Sequence, residues 1–198
     1  TGHTYIMGIL NVTPDSFSDG GKFNQIDAAL KHAEEMIGDG ADVIDIGGES
    51  TRPGYTKISD EEETDRVVPV IEAVKKEFEI PISVDTYKSG VAEAAAEAGA
   101  DLINDIWGLK YDARMAEVIA KSGLACCLMH NRDNTEYRNF MEDMKQNLRE
   151  TIALAKAAGI ADDKIILDPG VGFAKSYENN LEVIRRLKEF NELKYPVL

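Results

Sequence analysis

Short, largely apolar runs alternate with amphipathic stretches along the whole chain, and this alternation limits the possible folds more than any other feature. Runs at residues 5–10, 41–46, 81–84, 101–104, 124–129 and 164–167 read as strands, too short for helices and bounded by turn residues. Between them, residues 27–37, 59–78, 87–98, 112–121, 140–158 and 179–193 carry apolar side chains at helical spacing. Gly38, Gly99, Gly123 and Gly159 follow four of these stretches, as glycine does at helix C-termini. Ser59 with Glu62 resembles a capping box. Residues 195–198 look like the beginning of one more strand.

Strands separated by helices favour a parallel sheet with right-handed crossovers. The strand ends recur roughly every 31 residues, the period of an α/β (β/α)8 TIM barrel of about 250 residues. The chain then holds about six βα units and the start of the seventh strand, in one domain over residues 1–198 that is incomplete at its C-terminal side. A doubly wound open sheet also uses six strands, but it gathers ligands at one switch point, often behind a G-x-G-x-x-G turn. No such turn follows the first strand. Polar residues end nearly every strand instead: Asn11, Glu49 just beyond the second, Asp85, Asn104, His130 and Asp168. A ring of that kind is the active-site layout of a barrel.

Composition narrows the partners. A net charge of −14 over 198 residues disfavours nucleic acid and anionic membranes, which attract basic surfaces. It leaves room for a phosphorylated small molecule held by a local cation or metal. No run is long enough to span a bilayer. Cys126 and Cys127 are strand neighbours pointing to opposite faces, which fits small core residues in a reducing, cytoplasmic setting.

Two loops draw attention. The first, from Asn11 through residues 13–21, is small, hydroxylated, acidic and glycine-rich, and reads as a binding segment or a plain surface loop. The second, residues 47–54, offers Arg52 for a bidentate grip on phosphate or carboxylate, or as a solvent-facing turn residue. Asp85 and Asp168 each end an apolar strand, where a carboxylate is costly unless paired. Asp85 also precedes a helix and is a candidate N-cap. With Asn104 and Asp105 they form an acceptor-rich rim suited to a ligand with several N–H donors, such as an aminopyrimidine ring. Ile106, Met129 and Phe173 are candidates to pack its faces, or simply core. Lys175 either reaches this site or is solvated. His130 alone is too weak a signal to assign. There is no zinc-spaced cluster and no Ser-His-Asp order; a metal would be a hard ion, and Mg²⁺ suits a phosphate.

Together the segments MGILNVTPDSFSDGG (7–21) and DIGGESTRPG (45–54) resemble the two signature motifs of the dihydropteroate synthase family. SVDTYK (83–88), INDIW (103–107), LMHN (128–131) and DPGVGFAK (168–175) are similar to its later strand ends, in order along essentially the whole chain. The resemblance implies transfer of a dihydropterin-6-ylmethyl group from its diphosphate to p-aminobenzoate, with loss of pyrophosphate before the arylamine attacks. It implies that Asn11 binds Mg²⁺, and that Thr51 and Arg52 contact the diphosphate. Asp85, Asn104 and Asp168 would hydrogen-bond the pterin, among Ile106, Met129 and Phe173. Phe17, Ser18, Asp19 and Pro53 would close over p-aminobenzoate, where sulfonamides compete, and Asp85 would stabilise the cation. A homodimer is compatible with it.

The family continues into a Ser-Arg-Lys motif and an Arg-x-His motif that have no counterpart here, so the 198-residue chain alone is expected to be unstable and inactive. Alternatives are a barrel that binds pterin without condensing it, and a methyltetrahydrofolate methyltransferase-like domain. A generic barrel aldolase would need a strand-end lysine, absent from these six termini.

Overall fold

The computed structural model describes residues 3–13, 21–50 and 57–198, with residues 21–24 described by backbone alone. Six strands follow one another in a single sheet in chain order: β1 (Met7–Asn11), β2 (Val43–Gly47), β3 (Ile82–Asp85), β4 (Leu102–Asp105), β5 (Ala125–Met129) and β6 (Ile165–Asp168). Helices α1 (Gly21–Gly38), α2 (Asp60–Glu77), α3 (Ser89–Glu97), α4 (Met115–Ser122), α5 (Phe140–Ala157) and α6 (Tyr177–Arg185) alternate with them. This is the α/β order expected, six βα units long. The chain divides into two compact units, Thr1–Ile103 and Asn104–Leu198.

In the first unit β1, β2 and β3 pair in parallel, with Leu10 opposite Ile46 and Ile46 opposite Val84. Ile44, Ile46, Ile82 and Val84 are fully buried, the continuous apolar run of a strand covered on both faces. Ala29, Ala33, Val67, Ile71, Val74, Val91 and Ala95 are among the buried helix positions of the unit. α2 begins as its sequence indicates: the Ser59 hydroxyl accepts the Glu62 N–H at 3.1 Å, and four acidic residues fill the positive first turn. Pro69 sits inside this helix. α1 starts six residues before the expected start at residue 27, because Gly21 opens it and a glycine-led stretch reads as loop.

In the second unit β5 and β6 pair in parallel, Met129 opposite Asp168. Cys126, Cys127, Leu128 and Leu167 lie in the core with Met115, Ile119, Leu148 and Phe190. Burial pushes the Cys126 thiol up to about 12, so it stays neutral. The last helix is shorter than its pattern suggests. α6 ends at Arg185, and residues Leu187–Leu193 tighten into a 3-10 helix. Beyond it the backbone bridges Leu167 and Val197 in parallel, with Leu198 N–H on the Leu167 carbonyl at 2.9 Å. A seventh strand begins there, as the sequence indicates.

Candidate active site

Parallel register lines up Asn11, Gly47 and Asp85 across the last positions of β1, β2 and β3. Gly47 leaves a notch between its neighbours. A Cβ at that position would lie 3.5 Å from Asn11 Oδ1 and 3.6 Å from Asp85 Oδ2. The first unit therefore presents an amide oxygen and a carboxylate oxygen on either side of bare backbone. Asp85 is not a helix cap: the N-cap of α3 is Lys88, three residues on, in extended conformation.

Behind the notch, Glu49 departs from its expected place on the rim. It is 3% exposed, and Lys88 Nζ donates to its Oε2 at 2.8 Å, to Glu63 Oε2 at 2.6 Å and to the Ile58 carbonyl at 2.8 Å. The Ile58 N–H donates to Glu49 Oε2 at 2.8 Å, and the Tyr87 hydroxyl donates to the other carboxylate oxygen. Burial pushes Glu49 up, but bonds from Lys88, Tyr87 and Ile58 outweigh it and hold the group below the usual carboxylate range. For Glu63 burial wins over Lys88 and Thr86, and its pKa is raised. Burial alone would lower Lys88; its two carboxylate partners raise it instead. The cluster ties residue 49 to residue 58 across nine positions of chain. Arg66, paired with Glu62, adds a 2.8 Å bond to the Gly48 carbonyl.

In the second unit, Asp168 ends β6 with its Oδ1 accepting the Gly170 N–H at 2.6 Å. Burial raises its pKa, with the Gly170 bond and the Lys175 charge opposing. Met129, at the end of β5, is buried beside Gly170: a Cβ on that glycine would meet Met129 Cγ at 3.0 Å and the His130 carbonyl at 2.3 Å. Gly170 has φ +69°, so both space and backbone require glycine. Asn104 is half-buried near the end of β4, Ile106 is buried just past it, and Phe173 is half-buried in the loop after β6.

Asp105 turns inward, 1% exposed, and accepts the Trp107 N–H at 2.8 Å and the Leu109 N–H at 2.7 Å. It shapes a turn in which Leu109 adopts φ 68°. It is a structural acid, not part of an exposed rim. His130 is 1% exposed, and burial and nearby cations push it down to about 3, so it is neutral at physiological pH. Lys175 is not simply solvated. Its Nζ is half-buried against its own loop, 3.1 Å from His130 Nδ1.

A family model described as pterin binding enzyme matches residues 7–198. The dihydropteroate synthase of Clostridium beijerinckii is 65% identical over 195 residues, which cover 98% of this chain and 72% of that protein. The chain belongs to the dihydropteroate synthases, within the pterin-binding enzymes. This is a family of transferases. The crystal structure of Clostridium difficile dihydropteroate synthase in the presence of pteroic acid superposes with TM-score 0.96 and 53% identity, covering 99% of this chain and 75% of that one. The Yersinia pestis enzyme in a sulfonamide complex gives TM-score 0.90 and 46% identity over 98% of this chain and 72% of that one. These superpositions bear out the barrel architecture expected from the strand period. Among the sequence candidates, Phe17, Ser18, Asp19, Thr51, Arg52 and Pro53 lie outside the described residues. Lys88, Glu63 and Lys175 were missed as organising residues, since their partners lie tens of positions away or on bare backbone.

Proposed function

We propose that this dihydropteroate synthase places its pterin substrate against Asp85, Asn104 and Asp168, with Ile106, Met129 and Phe173 on the ring faces. The single observation that carries the activity is the 65% identity to the Clostridium beijerinckii enzyme over 195 residues. Pteroic acid, present with the Clostridium difficile relative, unites a pterin and an aminobenzoate, and so supports those two substrates. The sulfonamide complex of the Yersinia relative supports sulfonamides as competitors of p-aminobenzoate. Residues 1–198 act as one pterin-binding barrel domain. Cytoplasmic location and homodimeric assembly belong to the same proposal; among the described residues no helix is long and apolar enough to cross a membrane.

The first step breaks the bond between the pterin methylene carbon and the diphosphate oxygen, and pyrophosphate leaves with the electron pair. The remaining cation is delocalised into the pterin ring. Asp85, a carboxylate at the end of β3, stabilises that charge and accepts a ring N–H in this reading. The p-aminobenzoate nitrogen then attacks the methylene carbon, and a proton leaves the new C–N bond's nitrogen. Thr51 and Arg52 bind the departing diphosphate, while Phe17, Ser18, Asp19 and Pro53 cover p-aminobenzoate.

The notch over Gly47 fits a hard ion, since Asn11 Oδ1 borders it and such ions take one or two protein oxygens beside phosphate and water. Asn11 is the ligand assigned to the ion in this proposal; among the described residues no group of three or more His, Cys, Asp or Glu could hold a metal. Bound Mg²⁺ supplies positive charge to the diphosphate oxygens.

Asp85→Asn in the full-length protein tests the assignment. It retains the shape and removes the charge, so kcat is expected to fall about 10²–10³-fold while the KM for p-aminobenzoate stays within a factor of about three. Unchanged kcat would remove Asp85 from the mechanism.

A further inference from the structure

The loop after β6 is built around a lysine that the reaction scheme does not use. Lys175 Nζ donates to the Gly170 carbonyl at 2.8 Å and to the Phe173 carbonyl at 2.9 Å, and lies 3.1 Å from His130 Nδ1. His130 is neutral, and opposite an ammonium, which can only donate, its Nδ1 takes the acceptor role and the ring proton sits on Nε2. Three acceptors around one nitrogen match the three N–H groups of an ammonium; a neutral amine has only two. The remaining loop bonds reinforce the same shape. Phe173 N–H bonds the Gly170 carbonyl at 3.1 Å, Ala174 adopts φ 48°, and the Tyr137 hydroxyl donates to the Ala174 carbonyl at 2.8 Å.

The two peptide groups that Lys175 holds belong to functional neighbours. Gly170 fixes Asp168 through its N–H, and Phe173 is the residue assigned to a ring face. We propose that Lys175 is a positioning residue for pterin binding: its ammonium clasps the Gly170 and Phe173 carbonyls and the His130 ring, and so sets Asp168 and Phe173 for the ring. The inference rests on the assignment of Asp168 and Phe173 to the pterin.

The clasp is pH-sensitive. Burial lowers Lys175 to about 8, with the Asp168 charge acting against the drop. The other groups facing it are His130, which is neutral, and Tyr137, whose phenol is raised by burial and carries Arg132 over its ring at 4.6 Å; Lys110 adds a more distant positive charge at His130. Two opposite trends follow. A lysine whose pKa the fold lowers disfavours the folded state below about 8, and that effect fades as pH rises toward 10.5. Stability from this group therefore improves with alkalinity just as the clasp is lost.

The test is the KM for 7,8-dihydropterin-6-ylmethyl diphosphate between pH 7 and 9.5, with melting temperature followed in parallel, in full-length wild type, Lys175→Met and Lys175→Arg. In wild type the KM rises about tenfold in all across pH 7 to 9.5 and levels off as Lys175 loses its proton, with no drop in melting temperature assignable to this group. Lys175→Met starts about tenfold higher at pH 7 and is flat. Lys175→Arg keeps a cation that does not titrate, so its alkaline rise disappears. A wild-type KM and profile in Lys175→Met overturns the proposal; should that variant not fold, an alkaline rise persisting in Lys175→Arg overturns it. Asp168→Asn separates the two levels. If it leaves the pterin KM unchanged, the pterin assignment fails; if it raises the KM while both Lys175 variants behave as wild type, only the Lys175 inference fails.

Discussion

Asp105 shows how one strand-end carboxylate can serve the fold while its counterparts on other strands are proposed to bind a ligand. Its two oxygens take the Trp107 and Leu109 N–H groups, yet burial still raises its pKa from 3.8 to about 6. The fold therefore favours the protonated acid. That contribution is complete below the unfolded value near 3.9 and is lost as pH rises through about 6. Compared with Asp105→Asn, which cannot titrate, wild type is expected to lose about 2–3 kcal/mol of stability between pH 4 and 6. Denaturant midpoints of both proteins across that range check this, and a constant difference would contradict it. Nothing in the local sequence separates Asp105 from Asp85 or Asp168, since all three end apolar strands. Only the turn at Trp107 to Leu109, which folds back onto the carboxylate, distinguishes it.

At the scale of elements, the Lys88 cluster joins the end of β2, the start of α2 and the approach to α3. Its partners are 39 and 25 positions away in sequence, with three charged groups almost fully buried. Lys88→Met strands two carboxylates without their cation, a loss of about 3–5 kcal/mol at pH 8. Glu63, whose pKa is raised, is expected to take up a proton in the variant as pH falls, so the defect shrinks toward acid. Urea denaturation at two pH values measures both effects, and a variant as stable as wild type would remove the cluster from the account. Local signals marked the elements well: Ser59 caps α2, Gly123 at φ 70° closes α4, and apolar runs locate all six strands. The rest depended on distance along the chain. Glu49 reads as a rim residue until Lys88 is placed beside it, and Lys175 reads as a site residue or a solvated one until three backbone and ring acceptors surround it. The break of the last helix at Arg186 is equally non-local in appearance, although Glu182 and Glu189 both grip that guanidinium.

At the scale of the molecule, the strand period, the polar strand ends and two long loop motifs point to one fold and one family, and the family match over residues 7–198 agrees. Asn11, Asp85, Asn104 and Asp168 all stand at or next to the C-terminal ends of their strands, where a barrel of this kind gathers its chemistry. The candidate site could be proposed from sequence because the residue type at each strand end is itself a chemical signal. Its inner supports could not, because they are ordinary lysines and glutamates until they are buried together. The decisive measurement is turnover by the full-length protein with dihydropterin-6-ylmethyl diphosphate and p-aminobenzoate, following both products. One pyrophosphate released for each dihydropteroate formed is the predicted result. Saturable pterin binding with neither product would contradict it and leave a pterin-binding barrel without the condensation.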